Sequence, residues 1–310
     1  MAALNYATHY QQALEQNFPY VLYFGALYST PNNGRFKWIN AKTIEIPSIT
    51  TTGRVDSDRD TIQTASRNYD NSWEPKTLTN QRKWSTLVHP ADVDQTNQVA
   101  SIQNITRTYN DEQKFPEMDC YTISKIFADW TEAGETEATV ELTENNILEE
   151  FDNFMQSMDD ARVPASGRIL YVIPAISKVI KNAKEITRTL NLQTNNSTLK
   201  RQISRIDEVE IVSVPSELMK TKYDFTQGWK ATEDARQIRM VLIHPLAIIT
   251  PISYQFAQLD PPSAGSEGKW VYFEESFEDV FILNKKKKAI CFNVEAAKKA
   301  ETTTPETQAA

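Results

Sequence analysis

The chain has 310 residues, of which 40% are hydrophobic and 24% are charged, and its formal net charge at pH 7 is −8. This composition, with a mean hydropathy of −0.51, indicates a folded soluble protein and excludes a disordered chain. The acidic balance argues against a protein that grips nucleic acid tightly, because such proteins replace phosphate counterions with Lys and Arg. A protein that encloses DNA while repelling it remains compatible with this charge.

Membrane and secretion signals are missing from the sequence. No apolar run approaches the roughly 20 residues that cross a bilayer, and no basic segment followed by an apolar core marks a signal peptide. We therefore expect the chain to fold in a cytoplasm. Its two cysteines, Cys120 and Cys291, provide neither a disulfide framework nor metal-ligand spacing, so we expect buried thiols.

The first 36 residues are interpreted as an N-terminal arm. Residues 4–18 have a modest helical pattern, residues 20–28 (YVLYFGALY) are apolar and uncharged, and residues 31–34 (PNNG) are typical of a turn. The aromatic segment has two interpretations. It is either a strand of the core or part of an arm that lies across a neighbouring subunit, since interfaces favour aromatic residues.

A long polar segment follows a short strand. Residues 37–49 are predicted to form a strand that leads into a loop, and residues 50–103 are mostly polar. Within them, residues 73–79 and 82–88 alternate, with Trp84, Thr86 and Val88 on one face, which predicts a two-stranded ribbon. A hairpin alone is only marginally stable in water, so the ribbon should lie on a domain or on a neighbouring subunit.

Two helices are predicted next. The first begins at Pro116 and carries a stripe of Ile123, Ile126, Phe127 and Trp130. The second covers residues 143–161, with Thr143 as its N-cap. Its apolar face contains Ile147, Leu148, Phe151, Phe154, Met155 and Met158, and its acidic face contains Glu149, Glu150, Asp152, Asp159 and Asp160. This second helix is either an ordinary core helix or the spine of a subunit that packs beside copies of itself.

The remaining sequence alternates strands with a helix, which makes the chain α+β. A strand is predicted at residues 168–173 and a helix from Pro174 onward. Further strands are predicted at residues 208–214, 237–243, 247–252, 269–273, 279–283 and 289–294. The basic run Lys285–Lys288 is interpreted as a solvated hairpin turn, and residues 295–310 as a disordered tail.

No motif with catalytic, cofactor or metal chemistry stands out. The sequence lacks a GxGxxG fingerprint, a P-loop, a GxSxG elbow and an HExxH pair. His89 and His244 each precede a proline and are interpreted as structural residues. Asp92 and Asp94 lack the turn glycine and terminal Glu of a calcium loop. We therefore predict no catalytic residue, no cofactor-binding residue and no metal ligand.

The order of segments resembles a known family. The segments, in chain order, are AKTIEIP, TTGRVDSDR, SWEPKTLTNQR, HPADVDQTN, FPEMDCYTISKI, ARVPASGRILYVIP, RMVLIHPLAIITPI and FEDVFILNKKKKAICF. Over residues 33–294 this series resembles the major capsid proteins of tailed bacteriophages with the Hong Kong 97 fold. No single segment is specific, whereas the series in order is.

The resemblance implies a domain organisation for the α+β chain. It implies an arm (1–36), a strand (37–49), an extended β-ribbon loop (50–103) over the adjacent subunit, and a disordered tail (295–310). It also implies a peripheral domain (104–165 and 253–294) with the spine helix at 143–161, and an axial domain (166–252) that meets its copies around five-fold and six-fold axes.

The implied function is self-assembly into hexamers and pentamers of an icosahedral shell that encloses double-stranded DNA without binding it specifically. Implied partners are further copies, portal and scaffold proteins and decoration proteins, with no membrane, no cofactor and no enzymatic activity. The expected location is the virion, after assembly in the host cytoplasm. The alternatives are an encapsulin-like compartment on the same fold and an α+β enzyme without a recognisable motif.

The resemblance also suggests roles for particular residues. Inter-subunit contacts of the extended loop are expected at Arg54, Arg59, Trp73, Arg82 and Trp84, because Trp and Arg commonly anchor interfaces. The apolar face of the spine helix, with Ile147, Phe151, Phe154 and Met158, should pack on the terminal strands. Three acids of that helix should face the lumen of the shell: Glu149, Asp152 and Asp159.

Overall fold

A computed structural model describes residues 20–56, 60, 67–95, 101–183 and 205–297. Arg59, the predicted helix at residues 4–18 and most of the predicted tail lie outside the described residues. The α-helices are α1 Gly25–Tyr28, α2 Pro90–Gln95, α3 Ile102–Tyr109, α4 Phe115–Glu132, α5 Ile147–Asp160 and α6 Pro174–Asn182. No helix in the described ranges is long and apolar enough to cross a membrane.

Fifteen strands complete the described structure. They are β1 Lys37–Asn40, β2 Thr43–Thr51, β3 Tyr69–Thr77, β4 Gln81–Val88, β5 Ile169–Val172, β6 Arg205–Ile206, β7 Val209–Ser213, β8 Tyr223–Asp224, β9 Lys230–Ala231, β10 Ile238–Ile243, β11 Ile248–Ile249, β12 Ile252–Asp260, β13 Trp270–Glu278, β14 Phe281–Ile282 and β15 Ile290–Val294. The predicted strands near 208–214, 237–243 and 289–294 are thereby confirmed, whereas β12 lies where no strand was predicted beyond residue 252.

The chain divides into two compact units. The first contains the described residues up to Phe115 together with Ile248–Leu283, and the second contains Pro116–Ala247 and the described residues from Asn284 onward. This grouping differs from the predicted peripheral and axial domains. Those domains are defined by positions in an assembled shell, so their boundaries stay predictions.

The first unit contains two three-stranded antiparallel sheets. One has the order β1-β2-β3 and the other the order β12-β13-β4. The predicted pairing of the segments at 73–79 and 82–88 is therefore wrong. β3 pairs with β2, whereas β4 pairs with β13 almost 190 residues later, because side-chain alternation identifies strands without identifying their partners. The two-stranded ribbon is the β2–β3 pair.

The base of the ribbon packs on the core of the first unit. Ile44 of β2 and Leu78 are buried against Ile249, Phe277 and Phe281. Burying such side chains contributes about 1.5–3 kcal/mol each. The near end of the ribbon is therefore fixed, while the strands beyond it extend into solvent.

The segment at residues 20–36 is not a strand. It contains α1 and a 3₁₀ helix at Pro31–Gly34, and Phe24 and Leu27 are fully buried. The amide of Asn32 donates to the carbonyl of Ile248, and the amide of Asn33 donates to the hydroxyl of Thr250. These described residues belong to the core of the first unit, and an arm that crosses a neighbouring subunit stays a prediction.

A five-stranded sheet forms the centre of the second unit. Its order is β15-β10-β5-β7-β6, with β5 and β7 parallel and the other pairs antiparallel. All residues of β5 are buried, and so are all residues of β15. The apolar sequence of β5, and that of β15 apart from Asn293, is typical of strands covered on both faces.

The helices differ from the prediction in two ways. The helix expected to begin at Pro116 starts earlier, because α3, a π-helical turn at Asn110–Lys114 and α4 form one unbroken helical segment. The N-cap of α5 is Asn146 and not Thr143. The backbone amide and the hydroxyl of Thr143 both donate to the side-chain oxygen of Asn146.

The basic run Lys285–Lys288 is not a hairpin turn. It lies in a 3₁₀ helix at Asn284–Ala289 between β14 and β15, which belong to different sheets. Lys287 donates to the carbonyl of Ala133 at 2.6 Å and pairs with Glu135 at 3.0 Å. Part of this positive charge therefore ties the 3₁₀ helix to the end of α4.

Candidate functional site

The β2–β3 pair carries an apolar stripe on one exposed face. Pro47 lies directly opposite Trp73, and Ile49 and Tyr69 occupy the same face further along. Exposed fractions are 46% for Trp73, 68% for Ile49 and 57% for Tyr69. We call these four residues the ribbon stripe. A row of large apolar side chains on a thin sheet in solvent is characteristic of a surface that another molecule covers.

Two of the arginines predicted to make inter-subunit contacts are described. Arg54 is exposed at the far part of the ribbon. Arg82 lies in β4 opposite Ser276 and is half-buried. Arg59 lies outside the described residues. The inter-subunit roles of these residues stay predictions, with Trp73 and Arg54 the members placed on the exposed ribbon.

Trp84 has an internal role. Its ring stacks on Tyr109 of α3 with centroids 3.8 Å apart and planes 7° apart, and it also contacts Tyr272. The alternation that placed Trp84, Thr86 and Val88 on one face is confirmed, since all three are more buried than their neighbours. Because its ring already packs within the subunit, Trp84 is an anchor between β4 and α3.

A partly buried ion pair lies beside this stack. Lys114 Nζ is 3.1 Å from Oε1 of Glu274, and the hydroxyl of Tyr272 donates to Oε2 of the same carboxylate at 2.8 Å. Burial and the neighbouring carboxylate raise the pKa of Tyr272 to about 12. Charge-assisted hydrogen bonds of this kind fix geometry, so the helical segment is held in register with β13.

The connection between β3 and β4 is clamped by a second acidic cluster. Asp279, which is 1% exposed, accepts from the Thr79 amide at 2.7 Å and from the Thr79 hydroxyl at 3.2 Å. Its other oxygen accepts from the Val280 amide. Burial raises the pKa of the adjacent Glu278 carboxyl, partly opposed by Lys114. The ribbon therefore joins the first unit at a point rich in buried carboxylates.

The predicted apolar face of α5 is confirmed. Ile147, Phe151, Phe154 and Met158 are all at most 7% exposed. The side-chain amide of Asn293 in the last strand donates to Glu150 of α5 at 3.3 Å, and packing of the apolar face on the terminal strands stays a prediction. The periodicity of 3.6 residues was sufficient to identify these positions.

The acidic face of α5 is only partly as predicted. Glu149 and Asp152 are exposed. Glu150 is 8% exposed and accepts from the amide of Asn293 at 3.3 Å, so its assignment to the solvated face is wrong. A carboxylate of this kind is retained in a core because it satisfies another polar group.

Asp159 is not a free acid. It pairs with Arg168, whose guanidinium is fully buried and also donates to the carbonyls of Val163 and Pro164. The carboxylate itself remains 62% exposed. Whether these acids face a lumen depends on the orientation of the subunit in an assembly and stays a prediction.

The described residues contain no cluster of three or more His, Cys, Asp and Glu side chains that could hold a metal. His244 hydrogen-bonds the carbonyl of Ser166 and accepts from the Leu246 amide, so its predicted structural role is confirmed. Both cysteines are buried, as predicted, and burial raises the pKa of the Cys291 thiol to about 11. His244 and the two cysteines therefore contribute to packing and hydrogen bonding within the second unit.

Comparison with solved structures identifies the fold. The mature capsid of bacteriophage PhiM1 matches with a TM-score of 0.65 at 12% identity, over 92% of this chain and 90% of that chain. The capsid of cyanophage P-SCSP1u matches with a TM-score of 0.62 at 9% identity, over 96% and 93%. The chain has the capsid-protein fold of tailed phages. The Hong Kong 97-type α+β architecture inferred from sequence is consistent with both matches.

A third structure, from Mycobacterium phage Che8, matches with a TM-score of 0.62 at 12% identity, over 94% of this chain and 98% of that chain. No protein-family model and no curated protein matches the sequence. The capsid fold is therefore recognised here through three-dimensional structure. The coverage of more than nine tenths in both directions means that the whole fold is shared.

Sequence reasoning missed several residues of these surfaces. Pro47, Ile49 and Tyr69 of the ribbon stripe were not selected, although their spacing of two residues in β2 and the aromatic character of β3 were available signals. Asp279 was missed because its partner Thr79 is 200 residues away in the chain. No local pattern reports a contact of that separation.

Proposed function

We propose that this chain is the major capsid protein of a tailed bacteriophage. Copies form hexamers and pentamers, and these build an icosahedral shell that encloses double-stranded DNA. The observation that carries the proposal is the match to two phage capsid structures and to a structure from Mycobacterium phage Che8, over at least 90% of both chains in each case. A domain borrowed by an unrelated protein would leave one of the chains largely unmatched.

The exposed ribbon supports an assembling protein. The ribbon stripe leaves Ile49, Tyr69 and Trp73 more than 45% exposed, an arrangement that a chain working alone has no reason to maintain. In the proposed shell, the ribbon of one copy lies on the adjacent copy. Each contact is individually modest, and many repeated contacts give the shell its stability through multivalency.

The acidic net charge fits a container for DNA. With a charge of −8 per subunit, the shell repels the packaged phosphates and leaves the DNA mobile. Glu149 and Asp152, which are exposed on α5, are proposed to face the lumen together with the paired Asp159. Portal and scaffold proteins, and decoration proteins, are proposed partners. Assembly takes place in the host cytoplasm and the mature location is the virion.

Analytical ultracentrifugation of the purified chain tests this function. Species of five or six subunits and larger closed particles are expected as the protein concentration rises. A monomer of about 35 kDa at every concentration and salt condition would contradict the proposal. Nuclease-protected DNA inside particles purified from infected cells separates the phage shell from the second candidate, an encapsulin-like compartment, for which the same particles would contain a protein cargo.

A further inference from the structure

Strand β12 has an exposed edge without the usual protection. Among the described residues, β13 is its one hydrogen-bonded neighbour, and every residue of β12 except Ser253 is exposed. Residues 252–259 include no charged residue, no Pro and no Gly. An edge of this kind presents a row of backbone N–H and C=O groups that can pair with another strand.

Four other sheet edges in the described structure are protected. The opposite edge of the same sheet, β4, carries Arg82 and Lys83, and β3 contains Pro75 among three charged residues. β1 has four residues, and the edge of β15 is occupied because the Val294 amide donates to the carbonyl of Ala138 at 2.8 Å. Charge, proline, short length and coverage are the devices that prevent edge pairing. Beyond its bulge near Ile252 and Tyr254, residues 254–259 of β12 have none of them, and Asp260 is the one charged residue at the end of the strand.

An ordered aromatic row runs beside this edge. The rings of Tyr254 and Phe256 are parallel within 8° at a centroid distance of 6.4 Å, and Phe256 is 6.2 Å from Phe273. Tyr254 is 47% exposed and Phe256 is 39% exposed. Side chains that flank a pairing edge stabilise cross-strand contacts, so an added strand would cover these rings as well as the backbone.

We propose that β12 is an assembly edge that pairs antiparallel with β12 of a second copy across a two-fold axis. Antiparallel self-pairing places no like charges opposite each other, because Asp260 is the only charged residue of β12 and the two copies of it lie at opposite ends of the pair. Pairing with β3 or β4 of another copy would bring their charged residues against this apolar edge. Self-pairing also closes the contact, as two-fold interfaces do. The result is a continuous six-stranded sheet shared by two subunits.

The register follows from the length of the regular edge. The bulge leaves residues 254–260 as the regular part of β12, roughly 23 Å long at about 3.3 Å per residue. Full antiparallel overlap of this segment places Ala257 on the two-fold axis and Tyr254 opposite Asp260. The contact is smaller than a stable isolated dimer requires, so it operates together with other contacts of the shell. The inference therefore rests on the proposed function, because the pairing forms only between subunits of an assembled shell.

Cysteine crosslinking tests the pairing. In an Ala257→Cys chain, the two new thiols lie within disulfide reach, because directly opposed residues of paired strands have Cα atoms about 4.5–5.5 Å apart. Phe256→Cys and Gln258→Cys cover the two registers in which the two-fold axis is displaced by one residue along the strand. The matched control is Ser85→Cys, which is exposed on the opposite edge of the same sheet. Both natural cysteines are buried and remain in place.

We expect a covalent dimer from at least one of the three β12 variants under mild oxidation of assembled particles, and none from Ser85→Cys. A charge variant provides an independent measurement. Gln258→Lys places like charges next to the axis and should raise the subunit concentration at half-assembly by about two- to fivefold. Ser85→Lys should leave that concentration unchanged.

The outcomes separate this inference from the proposed function. If shells form and no β12 variant crosslinks, the edge pairing is overturned while the capsid function stands. If Ser85→Cys crosslinks as strongly as the β12 variants, the specificity of the edge is overturned. If the wild-type chain does not assemble and none of the β12 variants gives a crosslinked dimer, both the edge pairing and the capsid function are overturned.

Discussion

Arg168 joins the end of α5 to the start of β5, and its replacement provides a quantitative test of that junction. The guanidinium is fully buried. Its Nε donates to the Pro164 carbonyl at 3.0 Å, and its Nη2 donates to the Val163 carbonyl at 2.7 Å and to Asp159. Its Nη1 donates to the sulfur of Met155 at 3.4 Å, so four acceptors depend on one side chain.

We predict that Arg168→Met lowers the free energy of unfolding by about 2–4 kcal/mol, because it removes four hydrogen bonds of a fully buried side chain at roughly 1 kcal/mol each. Asp159→Asn should cost about 1 kcal/mol or less, since that carboxylate is 62% exposed and solvent screens the pair. The two partners of a single ion pair thus have very different predicted costs. Urea unfolding of unassembled subunits, followed by fluorescence, measures both.

Arg239→Met is the matched control. Arg239 is half-buried and donates one hydrogen bond to the Val140 carbonyl at 3.1 Å, so its loss should cost about 1 kcal/mol. Equal costs for Arg168→Met and Asp159→Asn would refute the reasoning, because they would mean that the pair, and not the buried guanidinium with its carbonyl acceptors, determines stability.

Three further predictions concern Glu278 where the ribbon joins the first unit, Trp73 of the ribbon stripe, and α5. Glu278→Gln should raise the free energy of unfolding at pH 8 and have no effect below about pH 4, measured by urea unfolding across pH. The reason is that burial raises the Glu278 pKa above its usual 4.5. The stability contributed by the neutral carboxyl is therefore fully present below that value and is lost as pH rises through the higher folded pKa, whereas Gln stays neutral at every pH. Trp73→Ala should raise the subunit concentration at half-assembly by about 30-fold, as expected for a hot-spot aromatic residue, with unchanged subunit stability. A thiol introduced by Asp152→Cys should react with a bulky maleimide in unassembled subunits and be protected in closed shells.

Each of these predictions has a result that contradicts it. A uniform effect of Glu278→Gln from pH 4 to pH 8 would exclude a titrating carboxyl as its cause. Trp84→Ala is the control for Trp73→Ala. Trp84→Ala should lower the free energy of unfolding of the subunit because Trp84 stacks on Tyr109. A similar loss of subunit stability in Trp73→Ala would contradict the exposed position of the Trp73 ring. Full labelling of Asp152→Cys in intact shells would place α5 on the outer surface.

Local periodicity predicted the elements whose environment depends on neighbours in sequence. The four apolar positions of α5 from Ile147 to Met158 follow the helical repeat and are buried as expected. The alternation of Trp84, Thr86 and Val88 likewise identified the covered face of β4. In both cases the pattern reflects one face of one element against a core.

Contacts between distant residues could not be predicted in this way. Glu150 was assigned to solvent because its neighbours on the helix are acidic, yet it is buried by Asn293, 143 residues away. The segments that form β3 and β4 were predicted to pair with each other for the same reason, since alternation specifies a face and not a neighbour. Trp73 and Trp84 were grouped from their residue type, and only the structure distinguishes an exposed ring from a stacked one.

Negative-stain electron microscopy of the purified chain tests the central claim most directly. The capsid fold and the exposed ribbon predict closed shells, or hexamers and pentamers that convert to shells as the concentration rises. Both forms are recognisable in single images by their size and symmetry. Uniform monomeric particles of about 35 kDa under all assembly conditions, with or without scaffold protein, would contradict the account.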